Sequence, residues 1–345
     1  MNILVLKPCC LGDVLMTTPL LATLRAAYPD ARIDYAVGDW ARPALVTNPD
    51  VDEVLPLFNP FSSTTRKLAQ AVASTFRLRS RRYDMAFIPD RRPLTSMVAY
   101  FAGVPRRFGI RGRGRRVFLS DSVADEARAH EVDIFLKLAE AAGLGKHVAR
   151  EMKYVPSQAS LERAVDTLHA EGFEDLPFRV ALFPGGQSSS GRDFPHKRWP
   201  PERYALLANR LIGKHGGGVI LLGGESEREL CFQIRENIDH PVLDLTGRTD
   251  LDGMGAVMQL CDAVISNDSG PMHLSVSVGT PTVGIFGPTS ARKRGPYGPR
   301  HRAVQAHIYC GPCAGIGGPM EGCGAACIHR ITVQDLETVL DTRAS

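Results

Sequence analysis

A turn at residues 267–273, between two apolar runs, has the composition of an anion-binding site. It reads Asn-Asp-Ser-Gly-Pro-Met-His and follows a strand-like run at 263–265. Asp268 or Ser269 can cap a helix that begins here, and Pro271 suits its first turn because no amide hydrogen is needed there. Free backbone N–H groups and the positive helix end then favour an anion such as a diphosphate. The turn therefore predicts a phosphate-bearing ligand.

Two other predicted strand ends carry groups suited to the same ligand. The loop after residues 180–183 contains two glycines and three serines, whose backbone and hydroxyl groups can approach a phosphate closely. Lys197 follows this loop and can neutralise a diphosphate leaving group. Glu225 follows the strand predicted at 218–222, where an acid often accepts hydrogen bonds from ribose hydroxyls. The simpler alternatives are a flexible surface loop and an acid favoured by a helix dipole.

Two further side chains are candidates for proton chemistry. Asp13 lies in the Leu-Gly-Asp-Val sequence at 11–14, where the first predicted strand meets the first helix. A carboxylate there can act as a general base at the edge of an inter-domain cleft, or it can merely cap the helix. His273 lies one turn into the helix that follows the turn at 267–273. It can hydrogen-bond a phosphate or an acceptor hydroxyl, or it can be a structural residue.

These groups must be positioned by a regular scaffold, and apolar runs alternate with helical periodicity along the whole chain. The alternation predicts two doubly wound parallel sheets with ligands at the carboxyl ends of their strands. Predicted strands are 3–6, 32–37, 54–57, 85–88, 180–183, 218–222, 242–245, 263–265 and 282–286. Predicted helices are 14–28, 95–102, 160–170, 201–215, 225–237, 254–261, the segment after 271, and 331–342.

Size and composition agree with a two-domain protein. The chain has 345 residues, of which 44% are hydrophobic and 23% charged, as expected for a soluble protein with full cores. It contains no run of about 18 apolar residues that would span a membrane. The first residues lack the basic start and long apolar stretch of a signal peptide. The expected location is therefore the cytoplasm.

The net charge of +4 conceals a basic block at residues 77–116, which holds twelve arginines and two aspartates. Such a block suits phosphate groups, an anionic membrane face or nucleic acid, and its simplest interpretation is a solvated surface. No aromatic interleaving or nucleic-acid motif accompanies it, so a nucleic-acid partner is not predicted.

Four cysteines near the C-terminus have the spacing Cys-x2-Cys-x9-Cys-x3-Cys. In a cytoplasmic protein this spacing indicates a tetrahedral zinc or iron site more than disulfides, and the alternative is a loop of reduced cysteines. A metal held by four thiolates would be structural, because no coordination position stays open. The cysteines are Cys310, Cys313, Cys323 and Cys327.

Taken in order, the motifs resemble those of glycosyltransferase family 9, the ADP-heptose:lipopolysaccharide heptosyltransferases. The similarity spans nearly the whole chain, and the block at 267–273 is its most specific element. The matching segments are Leu-Gly-Asp-Val-Leu at 11–15, Thr-Thr-Pro at 17–19, Pro-Gly-Gly at 184–186, Lys-Arg-Trp-Pro at 197–200, Gly-Gly-Glu at 223–225 and residues 267–273.

The resemblance implies a GT-B fold, an α/β architecture of two Rossmann-like domains facing a central cleft. An acceptor-binding domain would span 1–158. A nucleotide-sugar-binding domain would span 159–330, with the cysteine-rich loop near 310–327. A helix at 331–345 would cross back to the first domain. The implied reaction moves a heptose from an ADP-sugar to the lipopolysaccharide inner core with inversion, and its catalysis requires no metal.

The resemblance also implies roles for residues. Asp13 would be the general base, and Lys197 would steady the departing ADP. Arg113, Arg115 and Arg116 are our candidates for recognising an anionic acceptor, because arginine forks suit phosphates and carboxylates. The acceptor would lie at the cytoplasmic face of the inner membrane, where peripheral contact of the protein itself is also expected. The predicted donor-binding residues are Ser188, Ser189, Glu225, Asp268, Ser269, Gly270, Met272 and His273.

The chain departs from the family pattern at Cys9 and Cys10, where many members have small hydroxyl residues. This difference leaves other acceptors open, such as a protein or another glycan, and some relatives that glycosylate proteins carry a four-cysteine iron finger. A sugar-nucleotide epimerase and a non-catalytic nucleotide-sugar-binding protein are the alternative functions. A nicotinamide dehydrogenase is disfavoured because the first turn lacks Gly-x-Gly-x-x-Gly.

Overall fold

The computed structural model describes residues 1–145, 149–186, 194–306, 308, 310–313, 323–324 and 326–341. The chain divides into two compact units, Met1–Lys153 and Tyr154–Ser345. The sequence placed this boundary after residue 158. Among the described residues, no helix combines the length and the apolar character needed to cross a lipid bilayer.

The first unit contains a fully parallel sheet. Its strands in chain order are β1 (Asn2–Leu6), β2 (Arg32–Val37), β3 (Glu53–Pro56), β4 (Met85–Ile88), β5 (Arg106–Ile110) and β6 (Asp121–Val123). They are arranged in the order β3-β2-β1-β4-β5-β6, with parallel pairing throughout. This is the Rossmann order, which reverses between β1 and β4 and leaves a crevice at their carboxyl ends.

The helices of the first unit cover both faces of this sheet. They are α1 (Leu11–Leu15), α2 (Thr18–Ala27), α3 (Thr64–Arg79), α4 (Pro93–Phe101) and α5 (Glu131–Ala141). One buried cluster joins Leu78 of α3 and Val98 of α4 to Ala86 and Ile88 of β4.

The sequence predicted a single helix over 14–28, and the structure divides it into α1 and α2. Pro19 has no N–H to bond the carbonyl of Leu15, four residues earlier. The Thr18 hydroxyl donates to that carbonyl instead, at 2.8 Å, and the Thr17 hydroxyl donates to the Val14 carbonyl at 2.6 Å. The threonine hydroxyls thus end α1 and allow Pro19 to start α2.

The second unit repeats the same topology. Its elements are α6 (Gln158–Ala170), β7 (Arg179–Phe183), α7 (Pro201–His215), β8 (Gly218–Leu221), α8 (Arg228–Arg235), β9 (Val242–Asp244), α9 (Leu251–Gln259), β10 (Ala263–Asn267), α10 (Gly270–Ser277), β11 (Thr282–Phe286), α11 (Ala291–Arg294), β12 (Arg302–Gln305), α12 (Ala326–Arg330) and α13 (Val333–Asp341). The parallel order β12-β11-β10-β7-β8-β9 reverses between β7 and β10, which places a second crevice there.

The C-terminal helix α13 is part of the core of the second unit. Val333 and Leu336 are buried in the same cluster as Trp199. The Trp199 indole donates to the carbonyl of Ile331 at 2.8 Å, and Arg203 donates to that carbonyl at 2.6 Å. The helix predicted to cross back to the first domain therefore buries its apolar side chains in the second unit.

Candidate active site

Asp13 lies at the crevice of the first unit, in α1 just beyond the carboxyl end of β1. Its side chain is 24% exposed, and its Oδ2 lies 3.4 Å from the ammonium of Lys7, which is 4% exposed. The Lys7 ammonium also lies 5.1 Å from the centre of the Phe135 ring. A partly exposed carboxylate with a buried cationic partner can accept a proton from a hydroxyl that reaches it.

The crevice also gathers groups that the sequence did not single out for this site. Asp90, just beyond β4, accepts hydrogen bonds from Thr95 and, at 2.8 Å, from Arg92. Arg92 also reaches the sulfur of Cys9 at 3.4 Å, and that sulfur is in contact with the sulfur of the neighbouring Cys10. The signal that could have identified Asp90 and Arg92 is their position after the strand that pairs with β1.

Tyr35 shows that both carboxylates act on the interior of this unit. Burial raises the pKa of Tyr35 strongly, and the charges of Asp13 and Asp90 raise it further. Its hydroxyl lies 3.0 Å from that of Thr17, and this hydrogen bond acts to lower the pKa. Burial outweighs it, so the phenol stays neutral and hydrogen-bonded beneath the crevice.

The three arginines predicted to bind an anionic acceptor have different environments. Arg115 is only 1% exposed, and its guanidinium donates twice to the Ser96 hydroxyl, at 3.1 and 2.7 Å. Burial lowers the pKa of Arg115. Arg113 and Arg116 are exposed, and Arg116 lines a cavity of about 380 Å³ together with Arg111. Arg115 is therefore buried inside the unit and hydrogen-bonded to Ser96, and Arg113 and Arg116 remain candidates for contact with a ligand.

In the second unit, the predicted anion-binding turn lies at the carboxyl end of β10. Ser269 occupies the N-cap of α10, with Pro271 in the first turn, and the Ser269 side chain makes no capping hydrogen bond. Asp268 forms an ion pair with Lys197, with 2.7 Å between Oδ2 and Nζ. Burial acts to raise the pKa of Asp268, but the charge and hydrogen bond of Lys197, with smaller contributions from Thr289 and His273, outweigh it, and the net pKa lies below its usual range.

Asn267 links this turn to the neighbouring loop and is fully buried. Its amide nitrogen donates to the carbonyls of Pro184, at 2.7 Å, and Gly185, at 3.2 Å. Its amide oxygen accepts from the Trp199 amide at 3.2 Å and from the Tyr204 hydroxyl at 3.0 Å. The sequence included Asn267 in the motif without assigning it a role. Asn267 joins both sides of the crevice between β7 and β10.

The remaining predicted residues of α10 face the interior. Met272 is 0% and His273 is 4% exposed. A Cβ added at Gly284 of β11 would lie 2.6 Å from the Met272 sulfur, so the glycine makes room for this side chain. Any contact of Gly270 or Met272 with a ligand is therefore expected from the backbone, at the helix N-terminus.

The predicted ribose-binding acid, Glu225, lies at the next strand end, beyond β8. Its side chain is 75% exposed and pairs with Arg228 at 2.5 Å. The neighbouring Glu227 is buried and accepts a hydrogen bond from the Gly224 amide at 2.9 Å. Glu225 is thus the acid that remains accessible here. The two predicted phosphate-binding serines, Ser188 and Ser189, lie outside the described residues.

The four-cysteine segment is only partly gathered. Burial raises the pKa of Cys327, and Cys323 and Cys313 raise it further, so both of these thiols lie within electrostatic reach of Cys327. Among the described residues, the three-membered group of metal-ligating atoms within 4.8 Å is Cys9, Cys10 and Asp13, not a set from this segment. Three thiols are a suitable donor set for zinc or iron, but the described atoms do not form a closed tetrahedron.

Comparison with known proteins identifies the family. A model of glycosyltransferase family 9 (heptosyltransferase) matches residues 72–323. Lipopolysaccharide heptosyltransferase 2 of Escherichia coli K12 is 30% identical over 314 residues, with 88% of each chain covered. The chain belongs to glycosyltransferase family 9. Its motif-based assignment to this family is confirmed.

Solved structures agree with this membership. The family 9 glycosyl transferase of Veillonella parvula has a TM-score of 0.82 at 23% identity, covering 99% of this chain and 96% of its own. The E. coli ADP-heptose lipopolysaccharide heptosyltransferase II has a TM-score of 0.76 at 26% identity, with both chains fully covered. The predicted α/β GT-B fold with two Rossmann-like units is therefore confirmed, and the chain is a glycosyltransferase of the heptosyltransferase family.

Proposed function

We propose that this family 9 enzyme transfers a heptose from an ADP-sugar to the inner core of a lipopolysaccharide, with inversion at the anomeric carbon. The observation that carries the proposal is the Asp13 carboxylate, held partly exposed at the crevice of the first unit by Lys7. The names of the related enzymes support the donor and the acceptor. Asp13 takes the proton of the acceptor hydroxyl as its oxygen attacks the anomeric carbon.

The second unit binds the donor in this proposal. The N-terminus of α10 offers backbone N–H groups and a positive dipole end to the diphosphate, and Lys197 supplies a full positive charge next to it. Because Lys197 is paired with Asp268 in the structure, the diphosphate competes with that carboxylate for the ammonium group. Lys197 and the helix end stabilise the charge that develops on the departing ADP.

On the acceptor side, the proposal assigns recognition of anionic groups to Arg113 and Arg116. Both side chains are exposed, and guanidinium groups bind phosphates and carboxylates in a bidentate manner. An R113Q/R116Q variant is expected to raise the KM for the acceptor about tenfold and to leave the KM for the donor unchanged. An unchanged acceptor KM contradicts this assignment.

A structural zinc or iron ion held by Cys310, Cys313, Cys323 and Cys327 stays a prediction, and no step of the reaction depends on it. Elemental analysis of protein purified without a metal-affinity tag tests it. About one equivalent of zinc plus iron supports the site, and less than half an equivalent contradicts it.

The proposal is tested by measuring ADP release from ADP-heptose with and without a lipopolysaccharide core acceptor. Acceptor-dependent release supports it. Release that depends on a protein or another glycan instead identifies a different acceptor for the same chemistry. Tight binding of ADP-heptose with no ADP release in the presence of any acceptor would favour the non-catalytic alternative. NMR of the product tests inversion, because a retained anomeric configuration is incompatible with a single displacement by the hydroxyl that Asp13 deprotonates.

A further inference from the structure

Helix α3 carries a row of apolar side chains that the described residues of the first unit leave exposed. Leu68, Val72 and Phe76 are 50%, 56% and 70% exposed. Their spacing of four residues places them on one side of the helix. The helix packs inward through other residues, namely Ala71, Ser74 and Leu78. An exposed apolar row of this length is a feature of surfaces that bind another molecule or a membrane.

The charged residues of α3 and of the turn after it are all positive. Residues 64–82 contain five arginines and one lysine and no acidic residue. Arg81 pairs with Glu53 at 2.5 Å. Within the part of the chain that the structure describes, Arg66, Arg77, Arg79 and Arg82 form no salt bridge. The outward side of α3 therefore combines exposed apolar residues with positive charges that have no acidic partner among the described residues.

A second group of exposed apolar side chains lies at the end of α4, the helix packed beside α3. Tyr100, Phe101 and Val117 are 43%, 51% and 72% exposed. The ring of Phe118 packs against both aromatic residues, with centroid distances of 5.5 Å to Tyr100 and 6.3 Å to Phe101. Tyrosine and phenylalanine next to arginine are typical of protein surfaces that enter the polar–apolar boundary of a bilayer.

We propose that α3 and residues 100–118 form one docking surface for an anionic lipid bilayer. A lipid surface satisfies both properties at once, because its headgroups neutralise the arginines and its acyl boundary takes up the apolar row. A second copy of the chain fits less well, because a twofold contact through this surface would oppose arginine to arginine. The inference is independent of the sugar that is transferred, and it goes beyond the proposed function.

The test is binding of the full chain to vesicles at low salt. Vesicles of phosphatidylcholine with about a quarter phosphatidylglycerol are expected to bind the protein about tenfold more tightly than phosphatidylcholine alone. A V72S/F76S variant is expected to bind about tenfold more weakly, since it removes the centre of the apolar row. An R77Q/R79Q variant is also expected to bind more weakly, and binding should fall as salt rises from about 0.05 to about 0.5 M.

The matched control is F232S, which removes a side chain that is 54% exposed on α8 of the second unit. It is expected to bind the anionic vesicles like the unaltered chain. Thermal midpoints within about 2 °C of the unaltered protein confirm that the variants are folded. Absence of binding to anionic vesicles, or equal binding by V72S/F76S, overturns the proposal. Loss of a dimer in V72S/F76S, without any lipid binding by the unaltered chain, also overturns it and identifies a second copy as the occupant.

Different results would contradict the docking surface and the proposed transferase activity. Turnover on a water-soluble acceptor fragment is expected to be the same in V72S/F76S and in the unaltered chain, because neither residue lies at the crevice that holds Asp13. Weak vesicle binding by V72S/F76S together with normal turnover therefore supports the docking surface. An inactive protein that still binds anionic vesicles through α3 overturns the proposed function alone.

Discussion

Replacing Lys197 by methionine removes the counter-ion of Asp268 and tests the electrostatics of the donor site. The two side chains are 21% and 8% exposed, and their charged atoms lie 2.7 Å apart. Removing one partner of a buried ion pair costs about 3–5 kcal/mol, because the remaining charge is left uncompensated. Since Lys197 is about one-fifth exposed, water can partly replace it, and we expect a loss of about 3 kcal/mol, at the lower end of that range.

The loss should depend on pH in a defined direction. The folded-state pKa of Asp268 lies below its usual value, so its ionisation contributes stability above the unfolded pKa of about 3.9. That contribution disappears as the pH falls through the folded-state pKa. In K197M, burial is opposed only by the smaller contributions of Thr289 and His273, so the folded-state pKa of Asp268 is expected to rise. The destabilisation should therefore be largest at neutral pH and shrink as the pH falls toward about 4.

The assay is urea and thermal unfolding of the full chain at several pH values. A loss of about 3 kcal/mol lowers the midpoint of the second unit by about 6–12 °C. The double variant K197M/D268N should recover about 2 kcal/mol, because no buried charge remains. The control is R210M, which breaks the exposed pair with Glu337 and should cost at most about 1 kcal/mol. If K197M matches the unaltered chain within about 0.5 kcal/mol at neutral pH, the pair does not have the energetic role assigned here.

Three further predictions concern residues around the two crevices and the core of the second unit. N267A is expected to lose about 2–4 kcal/mol of stability, because the Asn267 side chain makes four buried hydrogen bonds. It should also weaken ADP binding measured by calorimetry. Unaltered ADP affinity would contradict the role of Asn267 in positioning the loop. G284A is expected to lower the free energy of unfolding by about 1–3 kcal/mol, because its methyl group would lie 2.6 Å from the Met272 sulfur. In the control G213A the added methyl group meets nothing closer than 3.9 Å, so the free energy of unfolding should change by less than about 1 kcal/mol. Equal effects of the two substitutions would show that packing at Gly284 is not the cause. Burial acts to raise the pKa of Asp252, but hydrogen bonds from Ser157 and its neighbours lower it overall. D252N should therefore destabilise the chain at neutral pH, and the loss should begin to shrink near the unfolded pKa of about 3.9 and vanish only as the pH falls through the lower folded-state pKa. A loss that does not change over this range would count against this role.

Much of the fold follows from local patterns. The strands at 32–37, 85–88 and 282–286 and the helix at 201–215 were predicted with the bounds that the structure shows. Strands of a parallel sheet are buried on both faces, so they appear in the sequence as short continuous apolar runs. Helix α3 was not predicted, because its inward side is formed by Ala71, Ser74 and Leu78 and lacks a regular apolar stripe.

The candidate site was predictable where a single segment of the chain contains both the functional side chain and the strand, turn and helix start that position it. Asp13 and the turn after β10 belong to this class, because a strand, a turn and a helix start follow one another in the chain. Lys7, Asp90 and Asn267 were not assigned roles, because their partners lie on other segments and are brought close only by the order of the strands. The difference in burial between Arg115 and Arg116 has the same cause, since adjacent arginines look alike in sequence.

The most direct test of the proposed mechanism compares D13N with D30N, a change at an exposed aspartate of the same unit. D13N keeps the shape of the side chain and removes its basicity. D13N is expected to bind ADP-heptose like the unaltered enzyme and to lose about 10²–10⁴ in kcat, the usual range for removal of a general base. D30N should keep full turnover. A D13N enzyme with near-normal kcat would contradict the assignment of Asp13 as the base.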